Sequence, residues 1–261
     1  MEIIIQPDPE HAGDLVAQEI VRLFTEKPTA VLGLATGSSP LPIYRALRRR
    51  FEAGEVSFAH GMAFTLDEYV GLPYGHPESY RAVIRREIAD HLDLPPESLT
   101  TPQPHTDDLD GAAAAYDQAI RDAGGVDFQI LGIGENGHIG FNEPGVSLGS
   151  RTHVGTLTPS TREANARFFE GDLDQVPTQC ITQGLGTIME ARQIVLVATG
   201  PRKAEAIAQL VEGGVSQKWP ATILQHHPRT TVIVDEEAAA GLELLDHYRA
   251  SYGAVPTWRA T

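Results

Sequence analysis

Short apolar runs alternate with amphipathic stretches along most of the chain. The apolar runs have the length of buried strands and cover residues 2–5, 30–34, 63–66, 127–131, 193–198 and 230–234. The amphipathic stretches have apolar residues at helical spacing and cover residues 12–24, 44–51, 80–91, 112–123, 204–211 and 236–242. Apolar strands that alternate with helices are typical of a mostly parallel sheet with helices on both faces. The pattern therefore predicts an α/β fold of a modified Rossmann-like type.

The same pattern indicates how the chain is organised. Because it contains no internal repeat, no low-complexity segment and no linker rich in Gly, Pro or Ser, we expect residues 1–261 to form one domain. Residues 147–179 have weaker periodicity and many polar positions, and we expect them to form a mobile flap. In open parallel sheets, ligands bind beyond the carboxyl ends of the strands. Four segments that follow predicted strands are therefore the candidates for a site.

The first segment follows the second predicted strand and reads Ala-Thr-Gly-Ser-Ser-Pro at 35–40. Ser39 is suited to cap the next helix, and Pro40 suits its first turn. The backbone N–H groups at such a helix start form a natural phosphate site. The small residues that would line it are Thr36, Gly37, Ser38 and Ser39. The segment lacks the Gly-Lys-Ser/Thr of a Walker A loop, and a capped helix start without a ligand is the alternative interpretation.

The second segment, Thr-Gly-Pro-Arg-Lys at 199–203, follows the apolar run at 193–198. Lys203 falls in the first turn of the next helix, where a cation opposes the helix dipole. A bound anion would reverse that penalty, and the chain has only three lysines. We therefore interpret Lys203 as an anion-binding group, with a solvated surface lysine as the alternative.

The third segment, Leu-Asp-Glu-Tyr at 66–69, has two carboxylates where a strand is predicted to end. A carboxylate at the mouth of the sheet can act as a general base and move a proton between adjacent carbons of a sugar. We expect Asp67 to be that proton carrier. Solvated loop acids or a helix cap are the alternatives for this pair.

The fourth segment carries the most candidate chemistry and reads Leu-Gly-Ile-Gly-Glu-Asn-Gly-His-Ile-Gly-Phe-Asn-Glu-Pro at 131–144. Its four glycines let the backbone approach a ligand, but no helical run follows, so it does not fit the dinucleotide-binding pattern. His138, with Glu143 five residues later and Asn136 nearby, suggests an imidazole oriented by a carboxylate for acid–base chemistry. Metal binding is a weaker interpretation of this segment, because no second histidine or carboxylate has a convincing ligand spacing.

Composition and charge narrow the choice of partners. The formal net charge of −15 disfavours nucleic acids and anionic membranes, and it requires a local cationic site if the substrate is an anion. No apolar run approaches the about 20 residues of a membrane span, and the N-terminus lacks a secretory signal. The single cysteine, Cys180, cannot form an internal disulfide or a thiolate metal cluster. We expect a cytoplasmic protein, and homo-oligomerisation stays open.

Five stretches of the sequence match a known family. They are Leu-Asp-Glu-Tyr-Val-Gly-Leu-Pro at 66–73, His-Pro-Glu-Ser-Tyr at 76–80, Gly-Ile-Gly-Glu-Asn-Gly-His-Ile-Gly-Phe-Asn-Glu-Pro at 132–144, Ser-Arg-Thr-His at 150–153 and Thr-Arg-Glu-Ala-Asn-Ala-Arg-Phe-Phe at 161–169. In this order they closely resemble the glucosamine-6-phosphate deaminase (glucosamine-6-phosphate isomerase) family. The resemblance extends from the first strand to about residue 237, and the Gly-His-Ile-Gly-Phe-Asn-Glu-Pro run is highly specific.

The resemblance implies a reaction in amino-sugar catabolism, in which α-D-glucosamine 6-phosphate and water give fructose 6-phosphate and ammonium. Asp67 would take the proton from C2 and return it at C1. His138 would assist opening of the pyranose ring, with Glu143 holding the imidazole. Family members have Asp or Asn at the position of Asn136, and with Asn the relay around the histidine has one carboxylate fewer.

The resemblance also implies how the phosphate group is held. Thr36 to Ser39 would bind it, together with Lys203 and with Arg167 reaching in from the flap. These groups would supply the local positive potential that the acidic chain requires. The resemblance implies no metal, nucleotide or other organic cofactor, and a small-molecule sugar phosphate as the partner.

Two other functions are alternatives to the deaminase. A 6-phosphogluconolactonase resembles the family in fold and has a related Gly-His motif, but Phe-Asn-Glu-Pro at 141–144 and Asp-Glu-Tyr at 67–69 favour the deaminase. A non-catalytic sugar-phosphate sensor of the kind joined to DNA-binding domains is disfavoured. No helix-turn-helix segment precedes the domain, and Asp67, His138 and Glu143 are all present.

One departure from the family concerns regulation. Some bacterial members are activated by N-acetylglucosamine 6-phosphate at a subunit interface, where an Arg and a Lys shortly after Ser-Arg-Thr hold the effector's phosphate. The matching positions here are His153 and Gly155. Glycine offers no cation, and an imidazole with the ordinary pKa of about 6.5 is mostly neutral above neutral pH. We expect hyperbolic kinetics without activation, unless other residues rebuild the effector site.

Overall fold

A seven-stranded parallel sheet forms the centre of the computed structural model, which describes residues 1–252. In spatial order its strands are β1 (Glu2–Gln6), β10 (Thr230–Asp235), β9 (Gln193–Ala198), β6 (Phe128–Leu131), β2 (Val31–Leu34), β3 (Met62–Thr65) and β5 (Leu99–Thr100). Every neighbouring pair runs parallel. The predicted α/β class with a mostly parallel sheet is therefore confirmed.

Helices connect most of these strands, as parallel neighbours require. Their bounds are α1 (Pro9–Glu26), α2 (Leu41–Glu52), α3 (Tyr80–Glu87), α4 (Leu109–Asp122), α5 (Pro159–Asn165), α6 (Leu185–Ile188), α7 (Ala204–Glu212) and α8 (Leu245–Tyr252). In α1, Asp8 caps the first turn by accepting a 2.9 Å hydrogen bond from the backbone N–H of His11. None of the helices in residues 1–252 is long and apolar enough to cross a membrane.

The core follows from the apolar strands. All residues of β6, β9 and β10 are buried, and one continuous apolar cluster packs around the central sheet. A second, smaller cluster contains Tyr69, Phe141, Phe169, Val176 and Cys180. Burial of this much apolar surface is the main term that stabilises such a fold.

A second sheet takes one of its strands from the stretch where the sequence predicted a flap. It is antiparallel, with the order β4 (Asp67–Val70), β8 (Gln179–Thr182) and β7 (His153–Thr156). The stretch 147–179 thus contains β7 and α5 as well as irregular segments. Four-residue strands with mixed polarity give little periodic signal, which explains why the sequence did not predict them. The mobility of the stretch stays a prediction.

Three element predictions were wrong in detail. Ser39 is not a helix cap, because α2 begins at Leu41 after Pro40 and no side chain caps it. The predicted helix at 80–91 ends at Glu87 and is followed by a separate 3-10 turn. The predicted helix at 236–242 is only a short 3-10 turn, because the Asp235 carboxylate accepts a 2.8 Å bond from the N–H of Ala238 and fixes a tighter turn.

Candidate active site

A cavity of about 960 Å³ opens beyond the carboxyl ends of the parallel strands. Residues that directly follow β2, β3, β6 and β9 all line it, as expected for ligand sites in open α/β sheets. The predicted site residues in its lining are Thr36, Gly37, Ser38, Ser39, Asp67, Asn136, His138, Arg167 and Lys203. Glu143 is not in the lining and lies behind Asn136 and His138. The structure therefore brings all the predicted site residues to one place.

Asp67 is the buried carboxylate of the cavity, with only 5% of the residue exposed. It begins β4 and pairs across the small sheet with Thr182. No described residue in 1–252 donates a hydrogen bond to its carboxylate. Burial first, and then the charge of Glu68, raise the pKa of Asp67 well above its usual range. A carboxylate with raised proton affinity is suited to accept and return a proton.

Glu68, the neighbour of Asp67, binds the start of α3, where it adds to the N-cap residue Ser79. Its carboxylate accepts backbone hydrogen bonds from Tyr69, Tyr80 and Arg81 at 2.8–2.9 Å, the last two at the start of α3. Successive side chains of a strand point in opposite directions, so the two acids separate. The two acids therefore have different roles. Asp67 lines the cavity, as a general base requires, whereas Glu68 accepts N–H groups at the start of α3.

Asn136 connects His138 to Glu143. Its Oδ1 is 2.7 Å from Nδ1 of His138, and its Nδ2 donates a 2.7 Å hydrogen bond to Oε2 of Glu143. The direct distance from His138 Nδ1 to Glu143 Oε2 is 3.5 Å. The carboxylate therefore orients the imidazole mainly through the amide, which differs from the direct pairing that the sequence suggested.

This arrangement assigns the proton on the imidazole. Burial acts to raise the pKa of Glu143, but hydrogen bonds and the nearby His138 outweigh it and lower that pKa to about 2. Glu143 is therefore ionised near neutral pH and can only accept, so the NH₂ of Asn136 faces it and the amide oxygen faces the ring. Nδ1 of His138 then carries the hydrogen, which leaves Nε2 as the basic nitrogen of the neutral ring.

Glu143 also binds the start of α5, the helix within the flap. Its Oε1 accepts hydrogen bonds from the N–H and the hydroxyl of Thr158, at 3.2 and 3.1 Å. Thr158 is the N-cap residue of α5. One carboxylate thus holds both the amide that orients His138 and the first turn of the flap helix.

A turn at residues 216–221, which the sequence did not single out, contacts the loop that contains His138. A Cβ on Gly137, which has φ of +81°, would lie 2.6 Å from the indole of Trp219. The N–H of Ala221 donates to the carbonyl of Gly137 at 2.9 Å, and the N–H of Gly145 donates to the carbonyl of Gln217 at 2.8 Å. The turn therefore contacts the loop on both sides of the stretch that contains His138 and Glu143.

Cations gather in one part of the cavity. Lys203 is half-buried, and burial is the main reason that its pKa is lowered. Arg167 is exposed on the flap, with its guanidinium carbon 4.7 Å from the ring centre of Phe168. Asp235, which the sequence did not indicate, fixes the loop before Lys203 by accepting the N–H of Gly200 at 2.9 Å. Its position after an apolar strand was the available signal.

Two tyrosines link the flap to the cavity. Tyr69 and Tyr80 both line the cavity, and the hydroxyl of Tyr80 donates to that of Tyr69 at 3.2 Å. Asn165 at the end of α5 donates a 2.9 Å bond to the same Tyr69 oxygen. Burial raises the pKa of both hydroxyls, so they act here as neutral hydrogen-bonding groups. The flap helix is thus held against the cavity at both of its ends.

The two positions singled out for regulation lie on β7. Nδ1 of His153 donates a 2.8 Å bond to the carbonyl of Arg151. A Cβ on Gly155 would lie 3.2 Å from the Sγ of buried Cys180, so this position is tightly packed. Among the described residues, no group of three or more His, Cys, Asp or Glu side chains could hold a metal ion.

Comparison with known proteins gives close relatives over the whole length. A family model described as glucosamine-6-phosphate isomerases/6-phosphogluconolactonase matches residues 9–233. The chain is 60% identical to a glucosamine-6-phosphate deaminase of Mycolicibacterium smegmatis, with 99% of each chain covered. It is 53% identical to a glucosamine-6-phosphate deaminase of Bifidobacterium longum, with 99% of this chain and 98% of that protein covered.

Solved structures agree with these relatives. One described as a monomeric glucosamine-6-phosphate deaminase superposes with a TM-score of 0.90 at 41% identity, covering 92% of this chain and 100% of that chain. A 6-phosphogluconolactonase from Trypanosoma cruzi superposes with a TM-score of 0.74 at 20% identity, covering 93% of this chain and 97% of that one. The second likeness concerns the fold alone.

Proposed function

The chain belongs to the family of glucosamine-6-phosphate isomerases and 6-phosphogluconolactonases, and within it we propose that the chain is a glucosamine-6-phosphate deaminase. The reaction converts glucosamine 6-phosphate and water to fructose 6-phosphate and ammonium. One observation carries this proposal. A buried carboxylate of raised pKa, an oriented histidine and a cluster of cations line the same cavity.

The relatives favour the deaminase over the lactonase. Full-length identities of 60% and 53% are to glucosamine-6-phosphate deaminases, whereas the lactonase structure shares 20% identity and shows a common fold only. The buried Asp67 adds a chemical reason. Hydrolysis of a lactone needs no transfer of a proton between neighbouring carbons, so a buried carboxyl group of raised pKa is better explained by isomerisation.

The proposed phosphate site lies between two helix starts. Thr36 to Ser39 line the cavity just before α2, whose start has no side-chain cap. The positive end of the helix dipole and the backbone of this loop favour an anion there. Lys203 and Arg167 would add two charge-assisted contacts. Their positive charge offsets the repulsion that a chain of net charge −15 exerts on a sugar phosphate.

The proposed chemistry begins at His138. Its Nε2 would take the proton of the C1 hydroxyl and deliver it to the ring oxygen, which opens the pyranose. Asn136 and Glu143 would hold the ring of His138 in this tautomer and stabilise its charged form.

Asp67 would then move a proton from C2 to C1 of the open chain. This shift reduces the C1 aldehyde to an alcohol and oxidises the C2 amine to an imine, and O1 takes up the proton that the nitrogen loses. Water then adds to the imine carbon, and the C–N bond breaks as the C2 ketone forms, which releases ammonia that is protonated to ammonium. Burial supports this role, because a carboxylate held away from water has the raised proton affinity that abstraction from carbon needs.

The direct test is release of ammonia from glucosamine 6-phosphate, with fructose 6-phosphate measured as the second product. Unphosphorylated glucosamine and 6-phosphogluconolactone serve as controls. Equal amounts of ammonia and fructose 6-phosphate from the first substrate, with neither control turned over at a comparable rate, are expected. Faster hydrolysis of the lactone would favour the alternative function.

We also propose where the protein is located and how it is organised. Residues 1–261 form one functional unit, and the protein is cytoplasmic. A deaminase that is described as monomeric superposes closely on this chain, which supports a monomer over a homo-oligomer. Size-exclusion chromatography with light scattering distinguishes the two states.

A further inference from the structure

An ion pair lies across the cation-rich end of the cavity. Arg202 and Glu135 both line the cavity, and Nη1 of Arg202 is 3.3 Å from Oε1 of Glu135. The arginine follows β9 and the glutamate follows β6, so the pair joins two loops of the site. Both side chains are largely exposed, at 71% and 51%. An exposed pair of this kind contributes about 0–1 kcal/mol, so a competing anion can displace its carboxylate at little cost.

We propose that Arg202 is an additional phosphate-binding residue, and that Glu135 occupies its guanidinium until the phosphate group of the substrate replaces it. The inference rests on the proposed function, because it assumes that the phosphate lies beside Lys203. Arg202 precedes Lys203 in the chain, so both cations line the same end of the cavity. A phosphate dianion carries more charge than a carboxylate and accepts both arms of a guanidinium, so it wins the exchange.

The environment of Lys203 supports this arrangement. Burial lowers the pKa of Lys203, the charge of Glu135 acts to raise it, and the charges of Arg202 and Arg167 lower it further. The four charged groups are therefore close enough to act on one another. Without a substrate, Glu135 offsets part of the repulsion among the three cations. With a phosphate present, the same carboxylate repels it and is no longer needed.

The exchange predicts opposite effects for the two members of the pair. Loss of the charge of Glu135 should strengthen binding of a phosphate group, since the dianion then meets an unoccupied arginine and no nearby carboxylate. Loss of the charge of Arg202 should weaken binding, since one guanidinium contact is removed. A pair with only a structural role would not give opposite signs, because both variants would merely lose the same interaction.

The test measures binding without turnover. Sorbitol 6-phosphate lacks the amine and the carbonyl, so it cannot react, and its affinity is measured by isothermal titration at neutral pH and constant ionic strength. Glu135→Gln should tighten binding by roughly two- to five-fold, which corresponds to about 0.4–1 kcal/mol. Arg202→Gln should weaken it by roughly three- to ten-fold. Unchanged or weaker binding by Glu135→Gln, or unchanged binding by Arg202→Gln, overturns the proposal.

Two further variants separate the sources of failure. Asp14→Asn removes one negative charge from a similarly exposed pair, with Arg49 at 2.9 Å between α1 and α2, and should leave binding unchanged. If it tightens binding as much as Glu135→Gln does, net charge alone explains the gain and the exchange is wrong. Lys203→Ala tests the phosphate site itself. Normal affinity of Lys203→Ala for sorbitol 6-phosphate contradicts the proposed phosphate position. If Lys203→Ala binds weakly but Glu135→Gln leaves the affinity unchanged, only the exchange is contradicted.

A crystal structure with sorbitol 6-phosphate bound gives an independent check. The guanidinium of Arg202 should lie within hydrogen-bonding distance of the phosphate oxygens, with the carboxylate of Glu135 turned away. An intact pair between Arg202 and Glu135 beside a bound phosphate would refute the exchange.

Discussion

Hydrogen bonding gives the two buried, neighbouring acids of β4 different properties. Asp67 is buried against the cavity with no hydrogen-bond donor among the described residues, whereas Glu68 accepts three backbone N–H groups. A buried carboxylate without donors destabilises the folded state when it is ionised, and this cost is retained where the group has a chemical function. At the residue scale, the site therefore combines one buried acid that accepts no hydrogen bond from the described residues with a histidine that is hydrogen-bonded through Asn136 to Glu143.

The first prediction concerns Asp67→Asn. Its turnover should fall by about 10²–10⁴, because an amide cannot carry the proton, while substrate affinity is largely kept. Steady-state kinetics with product titration separate these effects. Full activity in this variant would remove Asp67 from the mechanism.

The second prediction follows from the raised pKa of Asp67. The folded state binds this proton more tightly than the unfolded chain, so the stabilisation from the neutral form is complete at acidic pH and is lost as pH rises through the folded-state pKa. Asp67→Asn escapes that loss. Its melting temperature should exceed that of the parent at neutral pH, and the difference should vanish near the ordinary aspartate pKa of about 4. A difference that does not depend on pH would contradict the role of burial.

The third prediction concerns Asn136. Asn136→Leu removes the hydrogen bonds from the amide to Nδ1 of His138 and to Glu143, which costs about 1–3 kcal/mol and lowers kcat roughly 5- to 150-fold. Asn136→Asp keeps an acceptor for the imidazole and should retain more turnover than the leucine variant. Initial rates over a range of substrate concentrations give kcat and KM separately. Equal losses in both variants would show that the acceptor is unimportant.

At the scale of elements, the site depends on loops that other elements hold in place. The turn containing Trp219 contacts the loop at Gly137 and Gly145, and Asp235 at the end of β10 fixes the loop before Lys203. Neither Trp219 nor Asp235 lines the cavity. Two of these supporting contacts are backbone hydrogen bonds, and two are made by the side chains of Trp219 and Asp235. Precise placement of catalytic groups depends on such support.

The fourth prediction tests this support. Trp219→Ala removes the indole that packs on Gly137, so His138 loses its placement and kcat should fall about 10- to 100-fold with little change in KM. Trp219→Phe keeps an aromatic surface and should recover most of the activity. Thermal unfolding of both variants checks that they are folded. A folded alanine variant with normal kcat would show that the turn does not position the histidine.

At the scale of the whole molecule, the charge distribution affects how a substrate approaches the cavity, and the small sheet carries the positions considered for an effector. The net charge of −15 repels a sugar phosphate at long range, and the proposed phosphate-binding cluster of Arg167, Arg202 and Lys203 would attract it only near the cavity. On β7, Gly155 packs on Cys180 and His153 is bonded to a backbone carbonyl. Neither of the two positions that would hold an effector phosphate therefore has an arginine or a lysine.

The fifth prediction follows for regulation. Without the two cations, an effector phosphate would lose contacts worth several kcal/mol, which exceeds a typical allosteric coupling of about 1–3 kcal/mol. Initial rates should therefore depend hyperbolically on glucosamine 6-phosphate, and N-acetylglucosamine 6-phosphate should not activate. A sigmoidal curve that the acetylated compound makes hyperbolic would sink this prediction.

The sequence by itself determined the class of the fold and the chemical groups of the site. Buried parallel strands are recognisable because they are apolar throughout, and the segments that follow them carry the acids, cations and glycines that line the cavity. These features depend on residues that are close in sequence, so local patterns suffice to predict them.

Only the tertiary structure decided how those groups are partnered. The division between Asp67 and Glu68 depends on where the chain passes from β3 into β4 of the small sheet and where α3 begins. The relay through Asn136 and the support by Trp219 depend on distances between side chains in folded loops. Such contacts arise from packing between segments distant in the chain, which no local periodicity encodes. The sequence thus determined which groups are present, and the packing decided which of them face the cavity.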